Sequence, residues 1–144
     1  MMDPDQRNHQ EVGMNIVVGY VPTPEGAAAV EHAVEIARRD GDRIVVVNSG
    51  VRGNDAHPAF AGAAHWDALD ERLTSLGVDH ELRQPAQAQS PADEILAAAD
   101  AVDAGLIVIG LRRRSPVGKL FLGSSAQQVL LDASCPVVAV KRAD

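Results

Sequence analysis

The sequence predicts an α/β fold: an open, parallel, doubly wound sheet of five strands flanked by four helices. Three observations carry this. Strand and helix signals alternate from about residue 14 to the end of the 144-residue chain. Runs such as Leu106-Ile-Val-Ile109 are apolar throughout, the pattern of strands covered on both faces. Aromatic residues make up only 3% of a chain that is 46% hydrophobic, so the core must be Val, Ile, Leu and Ala, which suits a parallel sheet under close-packed helices. Parallel neighbours need crossovers, nearly always right-handed, and helices stand between successive strands.

Asn15-Ile-Val-Val-Gly-Tyr20 is the first strand. Thr23 then offers an N-cap, Pro24 the first helical position and Glu25 a favourable first-turn charge. Val30, Ala33, Val34 and Ala37 follow at helical spacing until Gly41 stops the helix. Arg43-Ile-Val-Val-Val-Asn48 is the second strand, and residues 49–61 form a loop long enough for a lid or an oligomer contact. Trp66, Leu69, Leu73 and Leu76 mark one face of a second helix closed by Gly77. Val78-Asp-His-Glu-Leu-Arg83 alternates, as an exposed edge strand does. Ser90-Pro91-Ala92-Asp93 is a capping box with Asp in place of Glu, and Ile95, Ala99 and Val102 face the core behind it. Leu106–Ile109 is the fourth strand, ended by Gly110. Ala126, Val129 and Leu130 form the apolar face of a fourth helix, and Pro136-Val-Val-Ala-Val-Lys141 is the last strand.

Length allows one domain, assigned to residues 14–144 behind a polar tail, 1–13, expected to be disordered. The net charge of −7 and the scarcity of aromatics argue against nucleic-acid binding. No apolar stretch approaches the ~18 residues of a membrane span and no signal peptide is visible, so a cytoplasmic protein without membrane contact is expected. The single cysteine, Cys135, excludes an intramolecular disulfide and reads as a structural thiol.

Charge is unevenly spread. Residues 111–144 carry six basic residues against two acidic ones, in an otherwise acidic chain. Arg112, Arg113, Arg114 and Lys119 place four of those charges in one loop, and Gly123-Ser124-Ser125 opens the helix after it. A strand, a glycine-bearing loop and a helix N-terminus present backbone N–H groups to a phosphate, so this segment reads as an anion or nucleotide site. The plain alternative is a solvated basic loop. In an open sheet the ligand sits beyond the carboxyl ends of the strands where the winding reverses. With the first strand central, that crevice lies between the loops after Tyr20 and Ile109.

Other chemistries are excluded. Leu120 follows Gly118-Lys119, so there is no Walker A loop, and the first strand has no GxGxxG turn. Val21 and Gln84 stand where a phospho-acceptor site would need carboxylates, and no Gly-x-Ser-x-Gly elbow exists. His9, His32, His57, His65 and His80 lack metal-ligand spacing, so neither a metal site nor a catalytic residue is assigned.

The segment Gly110-Leu-Arg-Arg-Arg-Ser-Pro-Val-Gly-Lys-Leu-Phe-Leu-Gly-Ser124, with Ala133-Ser-Cys-Pro-Val-Val-Ala-Val140 behind it, resembles the universal stress protein family. That family's nucleotide motif is Gly-x2-Gly-x9-Gly-Ser/Thr, and the likeness runs from about Asn15 to Lys141. The motif is degenerate here. Gly110, Gly123 and Ser124 match it, Arg113 replaces the second glycine, and Val21 stands where nucleotide-binding members carry an aspartate. The missing carboxylate removes a possible metal contact. Arg113 adds phosphate-attracting charge but forbids close backbone approach.

The resemblance implies a three-layer sheet of order 3-2-1-4-5, adenine-nucleotide-hydrolase-like or Rossmann-like. It implies that Gly19, Tyr20, Val21 and Ser49 edge the adenine or ribose of ATP or AMP, and that Gly110, Arg113, Gly123, Ser124 and Ser125 face the phosphates. Ser124 or Ser125 reads equally as a simple N-cap. The function expected is a stress-response regulator binding an adenine nucleotide without fast turnover, since no side chain is placed as a general base. The alternative is a nucleotide-independent dimeric interaction module. A homodimer through the last strand is expected, because Val137–Val140 would otherwise leave an apolar sheet edge uncovered.

Overall fold

The computed structural model describes residues 13–48, 62–84, 89–113 and 120–141, with backbone alone at Arg112, Arg113, Leu120 and Phe121. The tail expected over 1–13, but for Gly13, and the 49–61 loop lie outside the described residues. In chain order the elements are β1 (Asn15–Tyr20), α1 (Pro24–Asp40), β2 (Arg43–Asn48), α2 (Ala63–Ser75) and β3 (His80–Arg83). They continue with α3 (Pro91–Ala101), β4 (Leu106–Arg113), β5 (Leu120–Phe121), α4 (Ser124–Asp132) and β6 (Val137–Lys141).

Five strands lie parallel in the order β3-β2-β1-β4-β6, which is the expected 3-2-1-4-5 with β6 as fifth strand. β1 is central, with Val17 opposite Val45 on one side and Ile107 on the other. Ile16, Val17, Val18, Ile44, Val45, Val46 and Val47 are wholly buried, because helices cover both faces. On one face α1 and α2 pack Val30, Ala33, Val34, Leu69 and Leu73 over Ile16, Val18, Ile44 and Val46. On the other, α3 and α4 lay Ala92, Ile95, Ala99 and Val129 over Val17, Val45 and Ile107.

The local stop and start signals act as their chemistry dictates. Thr23 Oγ1 accepts from the Gly26 N–H at 3.2 Å, Ser90 Oγ accepts from the Asp93 N–H at 3.1 Å, and each cap is followed by proline at the first helical position. Gly41 ends α1 in the left-handed region at φ 75°. β3 is an edge strand whose exposed surface is charged: Glu81 accepts from both Arg43 and Arg83. Charged side chains of this kind protect an edge from pairing with other chains.

Two expectations are corrected. Gly110 does not end the fourth strand. β4 runs on to Arg113, because Gly110 and Leu111 still pair with Val140 and Lys141 of β6, and Arg112 and Arg113 then pair antiparallel with Phe121 and Leu120. Leu130 is not part of a covered face, being 41% exposed, and its neighbour Leu131 is 82% exposed. α4 packs chiefly against α3, and Val129 is its buried residue.

Candidate functional site

The winding reverses between β1 and β4: the chain leaves β1 for helices on one face, and leaves β4 for α4 on the other. The two exits diverge there and open a crevice. The expected site residues Gly19, Tyr20, Val21, Gly110, Gly123, Ser124 and Ser125 stand on these exits and on the start of α4. Ser49, Arg114 and Lys119 lie outside the described residues, and Arg113 is placed by its backbone in β4.

The β1 exit is rigid and largely occupied by the protein itself. Tyr20 is 8% exposed, its ring stacked on Trp66 at a centroid distance of 6.1 Å within the α1–α2 core, and burial pushes its hydroxyl pKa up. The Tyr20 ring is therefore part of the core. Its carbonyl accepts from Asn48 Nδ2 at 2.9 Å. The Val21 carbonyl turns back to accept the Thr23 N–H at 2.8 Å and runs so close to α1 that a Cβ on Gly26 would sit 1.9 Å from it. A Cβ on Gly19 would meet Ile95 Cδ1 at 2.6 Å, so the Ile95 side chain of α3 lies directly on β1.

At the β4 exit, a Cβ on Gly110 would come within 2.3 Å of the Glu25 carbonyl oxygen. The bare glycine is needed for α1 to start beside β4. Beyond it, the β4–β5 pairing carries the chain that bears Arg112 and Arg113 back alongside the approach to α4. The N-cap of α4 is Gly123, and among the described residues no side-chain cap is made there. Ser124 and Ser125 are thus the first and second helical residues, not the cap, and Ser124 is exposed. Gln127 Nε2 donates to the Leu122 carbonyl at 3.1 Å and fixes the approach to the helix. A helix start with no side-chain cap among the described residues, two hydroxyls and the positive end of the helix dipole form a setting that accepts an anion.

Sequence reasoning missed a polar chain across the carboxyl ends of three strands. Trp66 Nε1 donates to Gln84 Oε1 at 3.0 Å, Gln84 Nε2 to Asn48 Oδ1 at 2.8 Å, and Asn48 to the Tyr20 carbonyl. Asn48 is fully buried. The available signal was a single polar residue closing an otherwise apolar strand, Arg43-Ile-Val-Val-Val-Asn48. His80 is packed rather than solvated, with Nδ1 2.7 Å from the Val78 carbonyl and Nε2 2.7 Å from Asp70. Cys135 is half-buried against the α3–α4 core, where burial first and then Asp100 raise its pKa. Among the described residues no group of three His, Cys, Asp or Glu side chains is placed to hold a metal, and no helix is long and apolar enough to cross a membrane.

The comparisons with known proteins agree with this architecture. The sequence pattern of the universal stress protein family matches residues 14–141. A universal stress protein of Mycolicibacterium smegmatis is 44% identical over 126 residues, covering 88% of this chain and 96% of its own. One from Thermus aquaticus is 51% identical over 138 residues, covering 88% and 97%. Among solved structures, the universal stress protein from Archaeoglobus fulgidus in complex with dAMP superposes with a TM-score of 0.60 at 26% identity, covering 89% of this chain and 97% of that one. The chain belongs to the universal stress protein family.

Proposed function

We propose that the protein is a stress-response regulator that binds an adenine nucleotide, AMP or ATP, in the β1/β4 crevice and turns it over slowly if at all. The observation that carries this reading is the start of α4, which opens at the crevice with a glycine cap and, among the described residues, no side-chain cap. A relative of the same fold holds dAMP. In this reading the base lies along Gly19–Val21 and Ser49, and the phosphates meet Gly123, Ser124 and Ser125 with Arg113 nearby. None of Gly19, Tyr20, Val21, Ser49, Gly110, Arg113, Gly123, Ser124 and Ser125 carries a group that takes a proton from water near neutral pH, which favours a binder over a hydrolase. Isothermal titration with AMP and ATP tests it, with Ser124→Ala and Arg113→Gly as variants. Weaker binding in Ser124→Ala is expected, and no heat with either nucleotide at millimolar concentration would remove the proposal.

A second reading, a homodimeric interaction module, has its own observation. Among the described residues β6 pairs with β4 alone, Val137 to Val140 are each only partly buried, and Leu130 and Leu131 of α4 are exposed. An uncovered apolar edge favours pairing with a second copy. Light scattering at micromolar concentration should give twice the subunit mass, and a monomer would count against it.

A further inference from the structure

Two buried side-chain oxygens among the described residues have no hydrogen-bond partner, Asp42 Oδ2 and Glu94 Oε1. Such atoms are rare in native structures because an unpaired buried acceptor is costly. Asp42 lies at the amino end of the sheet, where its other oxygen accepts the Met14 N–H at 2.8 Å and ties the start of β1 in place. It has a structural task. Glu94 stands at the opposite end, in the first turn of α3, and is only 8% exposed. Ala92, Ile95 and Ala99 make this helix's apolar contact with the sheet, so packing does not call for a carboxylate.

The turn that carries Glu94 touches both walls of the crevice. Ile95 lies on Gly19 at the β1 exit, and Asp93 accepts from Gln128 Nε2 of α4 at 2.8 Å. A nucleotide with its base along β1 and its phosphates on α4 has to pass this turn with its nucleoside half. We infer that Glu94 is a ligand-recognising residue whose carboxylate accepts a hydrogen bond from a neutral donor of that half, either a sugar hydroxyl or the exocyclic amine of the base. The inference rests on the nucleotide reading of the crevice. A desolvated carboxylate accepts strongly from a neutral donor and rejects an analogue that lacks it. The ligand-free protein carries the unpaired oxygen as a destabilising element held for binding.

The test is titration of the full chain with AMP, 2′-deoxy-AMP, 3′-deoxy-AMP and IMP, in the wild type, Glu94→Gln and Glu94→Met, with thermal unfolding of each protein without ligand. One analogue should bind the wild type at least about ten-fold more weakly than AMP, the loss expected for a charge-assisted hydrogen bond. The deoxy analogues identify a hydroxyl and IMP identifies the amine. Both variants should lose that discrimination, binding AMP about as weakly as the wild type binds the poor analogue, and Glu94→Met should melt higher than the wild type without ligand. Analogues that all bind like AMP, discrimination that survives both variants, or a Glu94→Met protein that melts lower would each overturn the role of Glu94. Failure of every adenine nucleotide to bind the wild type would instead overturn the crevice reading and this inference with it.

Discussion

Gly110 is a motif glycine whose task the structure identifies, and replacing it separates packing from ligand contact. A Cβ at this position would stand 2.3 Å from the Glu25 carbonyl oxygen, 2.7 Å from its carbon and 3.1 Å from Glu25 Cβ, where ordinary contact begins at 3.4 Å. Relief needs a displacement of about 1 Å, and the atoms to be moved are backbone atoms of the first turn of α1 rather than a flexible side chain. That turn is held by Pro24 and by the Thr23 cap, and Gly26 has no clearance toward the Val21 carbonyl. Gly110→Ala should therefore fall at the upper end of the range for overpacked sites, about 3 kcal/mol. For 144 residues the unfolding entropy near the midpoint is roughly 0.3 kcal/mol/K, so Tm should drop by about 10 °C.

Calorimetric or circular-dichroism melting of Gly110→Ala beside the wild type, each with and without AMP, measures both effects. The reasoning predicts a large loss of Tm in the absence of any ligand. A variant that melts with the wild type but no longer binds AMP would refute it, and would show that the glycine serves ligand approach instead of the docking of α1.

Three further outcomes are expected. Asn48→Leu should lower stability by about 2–3 kcal/mol in urea titration, because Asn48 is fully buried and the Tyr20 carbonyl loses its donor. Burial lowers the His80 pKa, but the hydrogen bond to the Val78 carbonyl, that to Asp70, and the charges of Asp70 and Asp79 outweigh it and raise the pKa above 6.5. The stabilisation is thus fully present below pH 6.5 and fades as pH rises through the folded-state value, so His80→Ala should flatten the stability profile above pH 6.5, and an unchanged profile would exclude the pairing. Leu73→Ala, at a fully buried site, should cost about 2–5 kcal/mol, whereas Leu131→Ala, 82% exposed, should leave the stability of the isolated subunit within about 0.5 kcal/mol.

Much of the fold was legible because its determinants are local. The Thr23-Pro24 and Ser90-Pro91 caps, the Gly41 stop and the apolar runs of β1, β2 and β4 each depend on a few adjacent residues. What was not legible depends on long-range registration. The continuation of β4 past Gly110 is decided by pairing with β6 and β5, which no property of Leu111 or Arg112 announces. The Trp66–Gln84–Asn48 chain joins residues 18 and 36 positions apart. Leu130 has the right spacing for a buried face, yet α4 packs chiefly against α3 and buries Val129, leaving Leu130 41% exposed. At the site, the motif positions were readable but their tasks were not, since a glycine kept for a neighbouring helix and one kept for a ligand look alike in sequence.

That last distinction bears on how a degenerate motif can serve a binding site. Gly19 is filled by Ile95, and Gly110 by Glu25. Both contacts are made within the protein itself, so the packing of the crevice walls is set before anything binds. The start of α4 differs, because Gly123 as N-cap supplies no side-chain acceptor of its own to the first-turn N–H groups. Arg113 replaces a motif glycine in a strand paired to β5, where extended backbone suits any side chain. The substitution adds a positive charge to the chain at β4 without disturbing the docking of α1. Loss of the motif's second glycine is compatible with phosphate binding for this reason, and the Arg113→Gly variant should bind ATP more weakly than the wild type, with the difference shrinking as salt is raised.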